Sequence, residues 1–276
     1  MDKNLPEVLR LDLMIAYSCN LSCRGCISIS DVKRDGIAPY EDIVEWIEYW
    51  SKIVTPKVLA LFGGEPCLHP RLFDICEQVR KHWPDTTIRL ITNGYLMDRF
   101  DSSRWFDFAP FEIQFSVHRS DHRHIIDQAI KNILQHKSGW RIERNKDWHI
   151  DRQYIWTLNN FRIFKSIFKD FIVPYKEGIE PWYSDPKEAH SICGSPATPV
   201  IYKGKMYKCP AVANAMDLTG KNWFGYTPCI DSTTIIEHVA NIGRPETVCG
   251  QCPNRTQAVV IDHFDKNNVT VKQHIS

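Results

Sequence analysis

Residues 9–26 read LRLDLMIAYSCNLSCRGC. The first half alternates apolar and polar side chains and then turns apolar, the pattern of a strand that ends just before the first cysteine. The second half sets Cys19, Cys23 and Cys26 within eight residues as C-x3-C-x2-C. Three thiolates so close can take three corners of one metal cluster. A [4Fe–4S] cube needs four ligands, so such a loop leaves one iron open to a small chelating molecule. A zinc knuckle and a set of packed, buried thiols are the competing readings. Structural zinc, however, asks for four protein ligands and usually pairs one C-x2-C with another.

Beyond this loop, strand and helix periodicities alternate. Lys57–Phe62 is an apolar strand stopped by Gly63-Gly64, Thr86–Ile91 a strand stopped by Asn93-Gly94, and Phe111–Val117 another. Residues 40–54 carry Ile43, Ile47, Trp50 and Val54 at helical spacing, and residues 70–83 place Leu72, Cys76, Val79 and Trp83 on one face after Pro70. Residues 121–136 hold a stripe through Ile125, Ile126, Ala129, Ile130, Ile133 and Leu134. Such alternation builds an α/β fold around a parallel sheet, with its chemistry at the carboxyl ends of the strands. Cys19, Gly63-Gly64, Asn93-Gly94 and His118 all follow strand ends and are expected on one rim. Trp140–Leu158 reads as two strands or one irregular excursion, Asn160–Phe171 as a helix, and Ile172–Tyr175 as a further strand. A Pro- and Gly-rich stretch marks a boundary near residue 180. The remainder has too few apolar residues to hold together without a staple.

At 276 residues and 32.2 kDa the chain is one large domain or a domain with a small appendix. With 34 Lys+Arg against 33 Asp+Glu it carries no global charge that would steer it to nucleic acid. Its longest clean apolar runs, Leu13–Tyr17 and Val58–Phe62, are five residues each, far short of the roughly 20 a membrane span needs. The N-terminus lacks an apolar signal core, so a cytoplasmic protein is expected. Ten cysteines in that setting point to metal or redox chemistry rather than a disulfide framework.

The three-cysteine loop after the first strand, followed by Gly63-Gly64-Glu65-Pro66 after the second, resembles the radical S-adenosylmethionine (radical SAM) superfamily. The resemblance covers about residues 9–137 and implies a partial (β/α)6-type barrel. It further implies that Cys19, Cys23 and Cys26 hold a [4Fe–4S] cluster whose open iron chelates S-adenosylmethionine. The turn Gly63, Gly64, Glu65 and Pro66 would lie against the methionyl amino group. Asn93 and Ser116 fall where the family places strand-end cofactor contacts. The implied chemistry is one-electron cleavage of the sulfonium to a 5′-deoxyadenosyl radical, which abstracts hydrogen from substrate. Gly25 departs from the pattern, since the family usually has an aromatic before the third cysteine, beside the adenine.

Cys193, Cys209, Cys249 and Cys252 supply four more thiolates, with Gly204 five residues before Cys209. Over about residues 190–255 this resembles the twitch module, a shortened relative of the SPASM extension. The resemblance implies a barrel domain over 1–180 and, over 181–276, a small cysteine-rich α+β module with a second [4Fe–4S] cluster. Zinc in the same thiolates is the alternative. Four protein ligands leave no open iron. The remaining use is to accept an electron, which favours dehydrogenation or cross-link formation in a small molecule or peptide.

His118 and Arg119 are the candidate catalytic residues, as a proton acceptor and an anion partner. His122 to His124 are expected to face solvent. Cys67 and Cys76 read as pocket wall and core, and Cys229 as a loop cysteine. Residues 141–152, with four Lys/Arg and with Trp140 and Trp148 at hand, read as an amphipathic surface rather than a nucleic-acid clamp. Expected partners are the substrate and a reductant such as flavodoxin or ferredoxin, with no membrane. The short ends leave no room for a separate leader-peptide domain, which tilts the reading toward a small substrate. A glycyl-radical-enzyme activase and a metal-stapled binding module are the alternatives.

Overall fold

The computed structural model describes residues 5–32, 35–144, 154–167, 170–265 and 267–272. Strand β1 (Glu7–Ala16) leads into the cysteine loop, which holds the short β2 (Leu21–Cys23). Helix α1 (Tyr40–Trp50), β3 (Thr55–Gly63), α2 (Leu72–His82), β4 (Thr87–Thr92), β5 (Phe111–Val117) and α3 (Arg123–Leu134) follow. Then come a hairpin of β6 (Arg141–Glu143) and β7 (Ile155–Leu158), β8 (Phe161–Ile167) and β9 (Asp170–Ile172). The last third holds α4 (Pro186–Ser191), the hairpin β10 (Val200–Tyr202) and β11 (Lys205–Tyr207), α5 (Pro210–Thr219), α6 (Ile235–Asn241), β12 (Val260–Asp262) and β13 (Val269–Val271).

Nine strands form one sheet in the order β11-β10-β1-β3-β4-β5-β8-β7-β6. The six from β10 to β8 run parallel, and antiparallel strands close the flanks, β11 on one side and the β7–β6 hairpin on the other. This is a mixed α/β fold built on a large parallel sheet, as a radical SAM barrel requires. Alternate residues divide its faces. Leu11, Leu13, Leu59, Leu61, Ile88, Leu90, Ile113 and Phe115 pack outward into one core with Ile43, Ile47, Ile75, Val79, Ile126 and Ile130 of the helices. The β4–β5 crossover has two short 3₁₀ turns instead of a helix, and Phe73, Phe100, Trp105 and Phe108 fill that gap with ring contacts of 4.6–5.6 Å.

Asn160–Phe171 does not form the expected helix. Phe161–Ile167 is a strand parallel to β5, paired from Phe111↔Phe161 to Val117↔Ile167. Its decisive period is two: Phe161 and Ile163 join the helix-packed core while Arg162 and Phe164 take the opposite face. Trp140–Leu158 holds the β6–β7 hairpin; residues 145–152 of that stretch, Trp148 among them, lie outside the described residues.

Candidate active site

The cysteine loop is held by backbone approaches that only glycine permits. A Cβ on Gly63 would stand 2.2 Å from Ala16 O, and one on Gly64 2.0 Å from Ser18 O. Both contacts are to the chain entering the loop, where Gly64 N–H donates to Ala16 O and Glu65 N–H to Ser18 O. The glycines therefore dock the turn onto the loop. Gly25 has φ +77°, and its Cβ position lies 3.3 Å from Val173 Cγ2, so an aromatic there would be strained and crowded.

Cys19 and Cys23 are buried and Cys26 half-buried, and all ten cysteines are free thiols. Burial pushes the Cys19 and Cys23 thiols up; the charges of Glu65 and Cys26 add to the rise at Cys19, and those of Cys26 and Cys19 at Cys23. Leu21 N–H reaches Cys19 Sγ at 3.4 Å and Lys272 pulls both thiols back down. Convergent thiols that burial keeps protonated are deprotonated on ligation, so this donor set fits a metal cluster.

Glu65 braces the rim. Its carboxylate accepts from Cys67 N–H (3.0 Å), Thr92 Oγ1 (2.7 Å) and Asn93 N–H (2.8 Å), tying the turn to the end of β4. Burial raises its pKa while these bonds oppose the rise. Asn93 Nδ2 donates to Asn20 Oδ1 at 2.7 Å. Pro66 is the buried first residue of a 3₁₀ turn. Gly63, Gly64, Glu65, Asn93 and Ser116 all line one cavity with the three cysteines, and Pro66 does not.

His118 lines the same cavity. Its Nδ1 lies 3.4 Å from Nδ1 of His263, whose Nε2 lies 2.8 Å from Arg24 O. A carbonyl only accepts, so His263 Nε2 carries its proton and His118 Nδ1 donates to His263. Burial, with His263 adding to it, pushes His118 down to about 3. His118 is thus a neutral hydrogen-bonding group at pH 7 and a poor proton store. Cys23 and these two histidines hold donor atoms within 4.8 Å of one another. Arg119 turns away from the cavity: it pairs with Asp121 at 2.7 Å and donates to Val269 O at 2.8 Å. His122 is half-buried against Tyr95, with ring centroids 5.0 Å apart.

The second thiol group assembles from distant segments. Cys193 follows α4, Cys209 caps α5 directly before Pro210, Cys249 lies within a 3₁₀ turn and Cys252 ends it. Each of Cys193, Cys209 and Cys252 feels the charge of other members of the set, and burial pushes Cys209 up to about 12. Ser195 N–H and Glu246 N–H reach Cys193 and Cys249 sulfurs at 3.4 and 3.5 Å, and the α5 N-terminus also favours a thiolate at Cys209. These four thiols also fit a metal centre. Cys229 is separate, buried in the main core with its backbone paired to Met206. Cys67 and Cys76 are core residues as well.

Cys193, Cys209 and Cys252 line the same cavity of about 420 Å³ as Cys19, Cys23 and Cys26. One chamber therefore carries thiols of both groups on its walls, three from each. The tail residues that back its wall, His263 against His118 and Phe171 and Lys272 against Ser30 O, carry no local sequence signal. They arrive by pairing of β12 with β9 and of β13 with β2.

Residues 13–138 match the family model of the radical SAM superfamily, so this stretch is a radical SAM domain. The whole fold is similar to BtrN in complex with AdoMet and 2-DOIA, at TM-score 0.53 and 16% identity over 92% of this chain and 95% of that one. Native anSMEcpe with bound AdoMet is similar at TM-score 0.39 and 21% identity over 48% of this chain, a match that takes in 41% of that protein's length.

Proposed function

We propose that this chain is a radical SAM enzyme that oxidises a small molecule through two metal clusters. The observation that carries the reading is the single cavity walled by Cys19, Cys23 and Cys26 on one side and by Cys193, Cys209 and Cys252 on the other. When bound, a [4Fe–4S] cluster and S-adenosylmethionine supply a 5′-deoxyadenosyl radical that takes hydrogen from substrate. The chain's own residues hold and shield that chemistry. Glu65 and the two glycines fix the turn beside the loop, where backbone carbonyls suit an ammonium. Asn93 and Ser116 offer polar contacts at the strand ends. Phe171 lines the cavity, and its Cβ lies 3.7 Å from where a Cβ of residue 25 would stand. It supplies the aromatic surface that Gly25 lacks, backed by His263 stacked on it at 3.7 Å and 12°. His118 orients a substrate group, held in one tautomer by His263.

Cys249 completes the second set beside Cys193, Cys209 and Cys252. The two thiol sets imply a division of labour, with hydrogen removed beside the first and an electron leaving toward the second. A flavodoxin- or ferredoxin-type protein supplies the first electron. Anaerobic reconstitution should give about eight irons per chain, and reduction with S-adenosylmethionine should give 5′-deoxyadenosine. Replacing Cys19, Cys23 and Cys26 together by Ala should leave about four irons and no 5′-deoxyadenosine. Tightly bound zinc at the four-thiol set would remove the electron-acceptor part of the reading. A reduced, fully loaded protein that leaves S-adenosylmethionine intact would remove the rest.

A further inference from the structure

Below the rim, the inward face of the sheet carries polar atoms that nothing in the fold satisfies. Gln114 Oε1 on β5 and Ser166 Oγ on β8 find no hydrogen-bond partner among the described residues. Gln114 is 6% exposed and lies on the wall of the chamber. Strand pairing sets it level with Ile91 on β4 and Phe164 on β8, so an apolar ring holds one bare amide oxygen. A buried acceptor left unpaired is costly, and such a group calls for a donor supplied from the cavity.

Two and four residues lower along the strands, the chamber meets Asp12 and Arg10 of β1. Their side chains form a closed pair, with Nε to Oδ1 at 2.6 Å and Nη2 to Oδ2 at 3.0 Å. The other charges at this level do not line the chamber and are bound to one another, Glu112 accepting from both Arg89 and Arg162. The floor therefore offers donors and acceptors side by side without an uncompensated charge. A carboxylate or phosphate finds no free cation here, and an ammonium finds no free anion. A hydroxyl, which donates once and accepts twice, is the matching group. Gln114 also lies four residues before His118, roughly 13 Å down from the rim, a depth a compact molecule reaches more readily than a peptide main chain.

We propose that the substrate is a small, neutral polyhydroxylated molecule of the polyol or sugar class. One hydroxyl donates to Gln114 Oε1 and others sit on the Arg10–Asp12 pair, making Gln114 a specificity-determining residue. The substrate assignment rests on the radical reading above, but its test does not require turnover.

Binding to the cluster-loaded protein with S-adenosylmethionine would be measured by saturation-transfer NMR for D-glucose, D-gluconate and D-glucosamine, three molecules of one size and different charge. Glucose should bind at least tenfold more tightly than gluconate. Gln114→Leu should weaken glucose at least tenfold, the size expected for one buried polar group left unpaired. Gln114→Glu should turn the preference toward glucosamine by about tenfold, a switch that mere loss of packing does not produce. Iron content and melting temperature equal to the parent's certify that the variants fold. Preference for gluconate, absence of binding by all three, or glucose binding indifferent to both substitutions overturns the proposal. If glucose binds through Gln114 while S-adenosylmethionine stays intact, the radical reading fails and the subsite stands.

Discussion

His69 closes the segment that begins at Gly63, and both of its ring nitrogens are in use. Nδ1 accepts from Arg71 N–H at 3.1 Å, so the proton is on Nε2, which donates to Ala38 O at 3.1 Å. Ala38 N–H in turn donates to Ile15 O near the end of β1, so the ring braces the GGEP turn against the strand that feeds the cysteine loop. Protonating Nδ1 would oppose two N–H groups, and burial lowers the His69 pKa from its ordinary value. The native ring takes up that proton only at a lower pH than the unfolded chain does, so this share of stability is full above about pH 6.5 and falls as pH drops. His69→Gln cannot titrate. Its penalty relative to the parent should be about 1–2 kcal/mol at pH 7.5, one hydrogen bond's worth, and smaller at pH 5.5. Denaturant unfolding at the two pH values measures this; an unchanged gap would mean that the ring is already charged in the fold.

Two three-residue strands from the tail do more for the site than their length suggests. β13 pairs with β2 inside the cysteine loop, and Val269 is buried in a cluster with Cys19, Leu21 and Cys23. β12 pairs with β9 and brings His263 beneath Phe171. Ending the chain after Asp265 removes β13, Val269 and Lys272 but leaves the four-thiol group whole. Iron should fall from about eight to about four per chain, and 5′-deoxyadenosine formation by at least tenfold. Full iron in the truncated protein would show that the loop holds its metal unaided. None of this pairing was legible in the sequence, because three residues display no period and their partners lie more than 80 positions away. The long elements were legible for the opposite reason: helices α1 to α3 and strands β1, β3, β4 and β5 each repeat their pattern over enough residues to declare it. The cysteine spacings were legible because ligand geometry is local. β8 was misread because in FRIFKSI the apolar residues Phe161, Phe164 and Ile167 recur every third position, which imitates a helical stripe. One signal was available and unused: in FEIQFSV, Glu112, Gln114 and Ser116 put polar groups at every second position of a wholly buried strand, which marks a face turned to a cavity.

Across the whole molecule, the two thiol sets meet because β10 adds to the barrel sheet beside β1, pairing Asp12↔Val200 and Leu13↔Ile201. That joint is only two residue pairs wide. Beyond it, the apolar clusters of the last third are small, such as Val212, Tyr226 and Val248 against Tyr207, Cys209 and Met216. The barrel core by contrast runs through β1, β3, β4, β5, β8 and helices α1 to α3, and takes only Ile201, Met206, Cys229 and Ile235 from the last third. A module of that size draws its folding free energy largely from what its thiols bind. The buried ion pair of Lys208 and Glu246, at 2.6 Å, adds little once the loop around it moves. Stripping metal with a chelator under anaerobic, reducing conditions should therefore loosen residues 186–255 first. Limited proteolysis followed by mass spectrometry should find early cuts there, while residues 7–134 stay protected for at least tenfold longer. Cys252→Ser should reproduce the pattern without chelator, with about four irons retained by the first loop. Simultaneous cutting of both regions would mean that the β1–β10 joint, and not the metal, holds the chamber together.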